Sequence, residues 1–230
     1  MDFIFAPAAE VDASSLRQGD LLLKTDALKA AISVAHSYYA EAEDYTHFLV
    51  LTQSCDLVRR GGKPKSRYIT VAAARPLSVV VARVLEKYRF PKFDFPFVVC
   101  PSSNAVSAQH FLERLLHNTE DGYFFIRKDE ARGINQDLCV FLPLSIALRV
   151  DHYDVCLSTK IAQLDNIFAA KVGWLAGNQY SRVATPDVEE KLDAPSEYKK
   201  AFYKEALFED TAWLTSQQQD FESQARPVAR

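Results

Sequence analysis

Two short apolar runs, Phe48-Leu-Val-Leu51 and Tyr68-Ile-Thr-Val71, flank a basic, glycine-containing segment, Arg59-Arg-Gly-Gly-Lys-Pro-Lys-Ser-Arg67. Each run is too short and too continuous for an amphipathic helix, so the pattern predicts two strands paired as a hairpin with a long connection. The first is expected to be an interior strand that delivers Gln53-Ser-Cys-Asp56 at its C-terminal end and hands the chain to the basic loop. Chemistry or anion contact is expected on that rim.

The rest of the chain supplies elements to pack around this pair. Gln18-Gly-Asp-Leu-Leu-Leu-Lys24 reads as a turn feeding a short strand. Leu28, Ala31, Ile32, Ala35 and Tyr39 recur at spacings of three and four, which predicts a helix over 26–39 with Asp26 as its cap. Arg75-Pro76 closes the second strand, because proline removes a ladder donor. A helix follows over 78–88, and Phe90-Pro-Lys-Phe-Asp-Phe-Pro-Phe97 is expected to lie extended against the core. A helix over 109–117 and strands over 123–126 and 138–142 come next, the last closed by Pro143.

From Ser158 the pattern turns helical. Leu157, Ile161, Leu164, Phe168, Val172 and Leu175 share one stripe, with Ser158 as N-cap and Gly177-Asn178 as the stop. Thr185-Pro-Asp187 starts another helix, and a last one begins near Pro195 and presents Tyr198, Phe202 and Ala206. The expected class is α+β: a small, partly barrel-like antiparallel sheet with inserted helices over 1–150, and a helical region over 151–230 packed on it. Spare aromatics at Tyr198, Phe202, Tyr203, Phe208 and Trp213 would suit a partner interface.

Composition narrows the function classes. With 230 residues and 48% hydrophobic content the chain can bury a sizeable core without covalent staples. Its four cysteines, Cys55, Cys100, Cys139 and Cys156, are widely separated and form no C-x-x-C pair. Free thiols, a reducing cytoplasmic compartment and no disulfide framework are expected. No apolar run approaches the roughly 20 residues that span a bilayer, and Met1-Asp-Phe-Ile-Phe-Ala lacks the basic start of a secretory signal, so no membrane partner is expected. The net charge of -3 exerts no global pull on nucleic acid, which leaves a local patch as the only route to such binding.

That patch is the basic loop. Arg59, Arg60, Lys63, Lys65 and Arg67 fall in a segment without an acid, where lysine and arginine can neutralise phosphates and Gly61-Gly62 lets backbone approach an anion. Gln53 and Ser54 add neutral hydrogen bonds, and Tyr68 offers a stacking face to an unpaired base. The same residues also suit a solvated hairpin tip that blocks edge pairing.

Cys55 is a candidate nucleophile and Asp56 its neighbour, but catalysis requires a partner histidine that the sequence does not assign. His47 starts the same strand, roughly 25 Å away if the chain is extended. The Asp56 carboxylate also opposes a thiolate by like-charge repulsion. Against this stands a buried small thiol with Asp56 capping a turn. Local spacing gives none of the cysteine and histidine pairs that announce zinc, so neither metal nor cofactor is expected. A second candidate notch gathers Asn178, Tyr180, Ser181 and Arg182 beside the expected start of the next helix. It competes with a plain helix connection anchored by Trp174 and Tyr180.

Gln18-Gly-Asp-Leu-Leu, Val50-Leu-Thr-Gln-Ser-Cys-Asp-Leu57 and Gly173-Trp-Leu together with Tyr180-Ser-Arg-Val-Ala-Thr-Pro-Asp187 resemble bacterial "Q-x-C-D" proteins of mobile-element and phage-defence loci. The opening Gly-Asp strand is loosely similar to the SH3-like barrels of the PemK and MazF toxins. The toxins' early arginine-proline step is not reproduced, since Arg75-Pro76 comes later here, and no catalytic residue is carried over. The resemblance implies a cytoplasmic accessory protein of an antiviral defence or toxin-antitoxin-like system. It would bind nucleic acid or a protein encoded nearby, without catalysis. The alternative is a Cys/Asp-dependent hydrolase or nuclease working at residues 53–56.

Overall fold

In chain order the elements are β1 (Asp20–Leu23), α1 (Asp26–Ala35), α2 (Ser37–Glu41), β2 (His47–Val50), the single turn α3 (Ser54–Leu57), β3 (Arg59–Arg60), β4 (Lys63–Pro64) and β5 (Tyr68–Pro76). They continue with α4 (Leu77–Glu86), α5 (Ser102–Leu116), β6 (Tyr123–Ile126), β7 (Leu138–Arg149), α6 (Tyr153–Ser158), β8 (Lys160–Gln163) and α7 (Asn166–Ser181). This computed structural model describes residues 4–86 and 102–181. The chain divides into two units, Met1–Arg182 and Val183–Arg230, and every described residue lies in the first.

The class is α+β, with a curled antiparallel half-barrel sheet of six strands in the order β6-β7-β5-β2-β1-β8. Its centre forms as expected: Phe48 pairs with Ala73 and Val50 with Val71, so the two runs are neighbouring antiparallel strands. Their continuous apolarity follows from burial on both faces. On one face Leu21, Leu49, Ala72, Ala74, Phe124 and Val140 pack with Val172 and Leu175 of α7. On the other, Leu22, Phe48, Val50, Ile69, Val71 and Ala73 pack with Leu28 and Ile32 of α1 and with Tyr153 and Cys156 of α6. Successive residues of one strand thus serve different cores, as the period of two requires.

Several boundaries differ from the sequence expectation, each for a local reason. Thr25, not Asp26, caps α1 by accepting from the Leu28 amide, and the helix breaks at His36, which adopts an extended backbone. Its ring stacks on Tyr39 with centroids 4.0 Å apart. Strand β7 runs through Pro143 to Arg149. The β5–β7 register shifts between Ala72 and Ala74, where Val140 to Ser145 oppose only three residues, and a proline in such a bulge sacrifices no ladder bond.

The helix expected from Ser158 does not form there. Residues 160–163 are strand β8, paired to β1 through Asp20↔Gln163, Leu21↔Ala162 and Leu22↔Lys160. Pairing with the open edge of β1 outweighs the local helical stripe. Helix α7 then starts after Asp165, whose Oδ1 accepts the Ile167 amide at 2.8 Å, and it passes through Gly177-Asn178 to Ser181. The expected segments over 90–97 and from 183 onward, with their aromatics, lie outside the described residues.

The β1–β8 edge holds a buried ion pair. Lys160 Nζ lies 2.9 Å from Asp20 Oδ2, with 4% and 0% of the two side chains exposed. The ammonium also donates to the carbonyl of Asp12 at 2.8 Å and meets Gln163 Oε1 at 3.1 Å, while the Arg17 amide donates to Asp20 Oδ2 at 2.7 Å. The N-terminal lead is thereby drawn over the sheet edge, and a bridge between Phe5 and Leu164 covers the outer side of β8. Desolvation pushes the Asp20 carboxyl up to about 6, and its Oδ1 finds no partner among the described residues.

His47 is the second buried titrating group, pushed down to about 4 by burial. Its Nδ1 meets Thr46 Oγ1 at 2.8 Å, and its Nε2 has no partner among the described residues. The two groups oppose each other on acidification. Unfolded His47 protonates near 6.5 but the folded one only near 4, so its contribution is full above 6.5 and is lost as the pH falls. Folded Asp20 protonates near 6 and the unfolded one near 3.8, so its contribution is full below 3.8 and is lost as the pH rises through 6. We expect His47→Gln to leave a stability that rises toward acid and Asp20→Asn one that falls toward acid, each by roughly 3 kcal/mol. Urea denaturation at pH 4, 5, 6 and 7 reads both slopes.

Candidate functional site

The three sequence segments that stood out converge on Gln18. Its amide N donates to Ser54 Oγ at 3.0 Å, and its side-chain Nε2 donates to the Leu51 carbonyl at 2.8 Å. Gly173 of α7 lies against the same side chain, so that a Cβ there would stand 3.1 Å from Gln18 Oε1. Gly19 donates to the Val50 carbonyl at 2.9 Å. With φ +87 and the side chains of Ala169 and Leu164 within 3.1 Å of a built Cβ, it admits no side chain. The glycines at 19 and 173 therefore serve close packing around the turn after β2.

That turn differs from the expected strand end. Strand β2 stops at Val50, and Cys55 and Asp56 belong to the helical turn α3. The Thr52 hydroxyl takes the Thr70 amide at 2.7 Å, which halts the ladder and lets the chain wind. Cys55 is exposed, whereas Cys139 and Cys156 are buried, and all three are free thiols. The Cys55 sulfur has Gln53 Oε1 at 3.8 Å and Asp56 Oδ1 at 3.9 Å. Among the described residues no histidine bonds it. His47 is at the far end of β2, His36 stacks on Tyr39, and His117 Nδ1 is 2.7 Å from the Glu113 carbonyl.

Beyond α3, strands β3 and β4 form a two-stranded arm separate from the main sheet, paired through Arg59↔Pro64 and Arg60↔Lys63. Gly61 and Gly62 both have positive φ at its tip, with no atom within 4 Å of either built Cβ. The cations divide into two sets. Arg59 pairs with Asp154 and lies 4.0 Å from the centroid of the Tyr153 ring, while Lys65 pairs with Asp56 at 2.9 Å. The Asp56 bond and charge hold the Lys65 ammonium above its ordinary range. Arg60, Lys63 and Arg67 form no ion pair among the described residues. Tyr68, at the foot of the arm, is 54% exposed.

The segment of the second notch lies partly in α7 and partly outside the described residues. Asn178, Tyr180 and Ser181 continue α7, whose carbonyl end carries partial negative charge, and Arg182 lies outside the described residues. Sequence reading also missed a cleft of about 600 Å³ between the N-terminal lead, the end of α5 and the loop after β6, with Arg127, Lys128 and Arg132 on its wall. Its one local signal was the Arg127-Lys128 pair behind β6. Among the described residues no group of histidine, cysteine and carboxylate side chains is placed to hold a metal ion, and no helix is long and apolar enough to cross a membrane. No family model and no curated protein matches the chain.

Burial pushes the Cys139 and Cys156 thiols up to about 12. In a Cys100→Ser background, a thiol reagent at pH 7.5 should label one cysteine rapidly in the native protein and two more only on unfolding, and Cys55→Ser should abolish the fast phase. Gly173→Val should cost about 1–3 kcal/mol by forcing Gln18 from its bond to Leu51. Gln18→Ala in the same chain should restore part of that loss in urea denaturation.

Proposed function

We propose that this protein is a non-catalytic nucleic-acid-binding accessory protein of a bacterial defence or toxin-antitoxin-like system, working in the cytoplasm. The observation that carries the reading is the arm: Arg60, Lys63 and Arg67 have no carboxylate partner among the described residues, and the tip around Gly61-Gly62 is open. Arg60 and Lys63 on the exposed ribbon, and Arg67 just beyond it, can meet phosphates without first breaking a salt bridge to any described residue. Arg59 and Lys65, each tied to an acid, fix the arm to α6 and α3. Tyr68 supplies an aromatic face beside it, as single-strand binding uses. The system assignment rests on the motif resemblance alone.

The hydrolase or nuclease reading of Cys55 and Asp56 has weaker support. A nucleophilic thiol needs a base within hydrogen-bond reach. Gln53 cannot serve as one, and Asp56 is engaged by Lys65.

Fluorescence anisotropy with labelled single-stranded and duplex RNA and DNA tests the proposal. If three to five phosphates are neutralised, raising salt from 50 to 200 mM should weaken single-strand binding by about 20- to 100-fold. Arg60→Glu with Lys63→Glu should lower affinity at least tenfold at 50 mM salt and flatten the salt dependence. Absence of binding to all four probes, or equal binding by the double variant, would overturn the reading.

A further inference from the structure

Ile4, Phe5, Pro7, Leu116, Phe125 and Phe168 give the cleft behind β6 an apolar wall rich in phenylalanine. Its volume of about 600 Å³ falls in the range of small-molecule sites and suits a ligand of one or two rings. The wall is fixed by the surrounding backbone. Phe5 is buried and bridged to Leu164, while Asn118 clasps Phe125: its Oδ1 takes the Phe125 amide and its Nδ2 donates to the Phe125 carbonyl. Leu116, the last residue of α5, is 49% exposed, an apolar surface that a ligand would cover.

Every charged group of this wall is already engaged. Arg132 pairs with Asp129, donates to the Ala6 carbonyl at 3.2 Å and lies 5.4 Å from the centroid of the Phe5 ring. Lys128 pairs with Glu130 at 3.5 Å, and Arg127 has an interaction of its own. An ionic ligand would have to displace one of these contacts and also give up its own hydration. An uncharged ring gains burial against the phenylalanines and disturbs none of them. Among the polar groups of the wall, Asn118 is occupied by Phe125, which leaves His117 to set orientation. Its Nδ1 lies 2.7 Å from the Glu113 carbonyl, which can only accept, so in the neutral ring Nδ1 carries the proton and Nε2 is an acceptor.

We infer that this cleft binds an uncharged aromatic molecule of one or two rings that carries an N–H or O–H donor, the chemistry of an indole or a phenol. The ring packs among Phe5, Phe125 and Phe168, and its donor meets His117 Nε2. A saturated hydrocarbon would bury that acceptor without a partner, and a carboxylate or ammonium would compete with the ion pairs of the wall. The site shares no residue with the arm and does not depend on its nucleic-acid reading.

Isothermal titration calorimetry on the full chain at pH 8 tests this, with indole and 4-methylphenol as probes and indole-3-acetate, tyramine and 1-methylindole as their counterparts. At least one of the two neutral probes should bind saturably, and its charged analogue should bind at least tenfold more weakly. Leu116→Trp, which fills the cleft without changing charge, should weaken binding at least tenfold with the thermal midpoint retained. Methylation of the indole nitrogen should weaken indole binding at least threefold, and His117→Ala should erase that difference. No saturable binding of indole or 4-methylphenol at millimolar concentration would overturn the inference. Charged analogues that bind as tightly as the neutral probes, 1-methylindole that binds as tightly as indole, or unchanged affinity in Leu116→Trp would overturn it equally.

Discussion

The step Gln18-Gly19-Asp20 is the junction on which the described structure depends. Gly19 passes between β2 and α7 where no side chain fits, which brings sheet and helix together. Asp20 then enters the core and is neutralised by Lys160 from the opposite edge strand. A buried carboxylate without that partner would carry a desolvation cost of several kcal/mol. The pairing of β1 with β8 and the path of the N-terminal lead follow from this need. Gln18, on the outer side of the step, organises the turn that carries Ser54 and Cys55.

The same architecture separates rigid from accessible groups. Burial of the sheet on both faces uses the apolar residues of β1, β2 and β5, and Cys139 and Cys156 are buried as well. The polar residues after Val50 are released where Thr52 ends the ladder, and the chain projects as the β3–β4 arm. Electrostatics within the arm are asymmetric. Its base is tied down by Asp154 and Asp56, while its outer cations have no such partner among the described residues.

The legible parts of the sequence were those set by local patterns. The two apolar runs do become neighbouring antiparallel strands, as apolar continuity and intervening glycines specify, but the register sets His47–Val50 opposite residues 71–74 and leaves Tyr68 and Ile69 to pair with β7 alone. The end of β5 at Pro76 and strand β6 were equally readable. Failures came where a distant partner overruled a local preference. Ile161 and Leu164 fit a helical stripe, yet the open edge of β1 recruits their segment as a strand. Pro143 reads as a strand terminator, yet a bulge opposite Ala73 absorbs it. Cys55 reads as a strand end, yet Gln18 and Ser54 stabilise a helical turn. The cleft was invisible because its wall joins residues from four separate stretches of chain.

The sequence by itself determined the class of the fold, its central strand pair and the concentration of cations between residues 59 and 67, since each is announced by a local run of apolar or basic residues. Only the tertiary structure decided which of those cations are already neutralised, that Asp20 is matched by Lys160, and that a mixed aromatic and basic cleft exists behind β6. The physical reason is that charge pairing and cavity shape depend on groups far apart in sequence, as Asp20 and Lys160 are in the buried pair and Ile4 and Phe168 are in the cleft. No local periodicity encodes such distances.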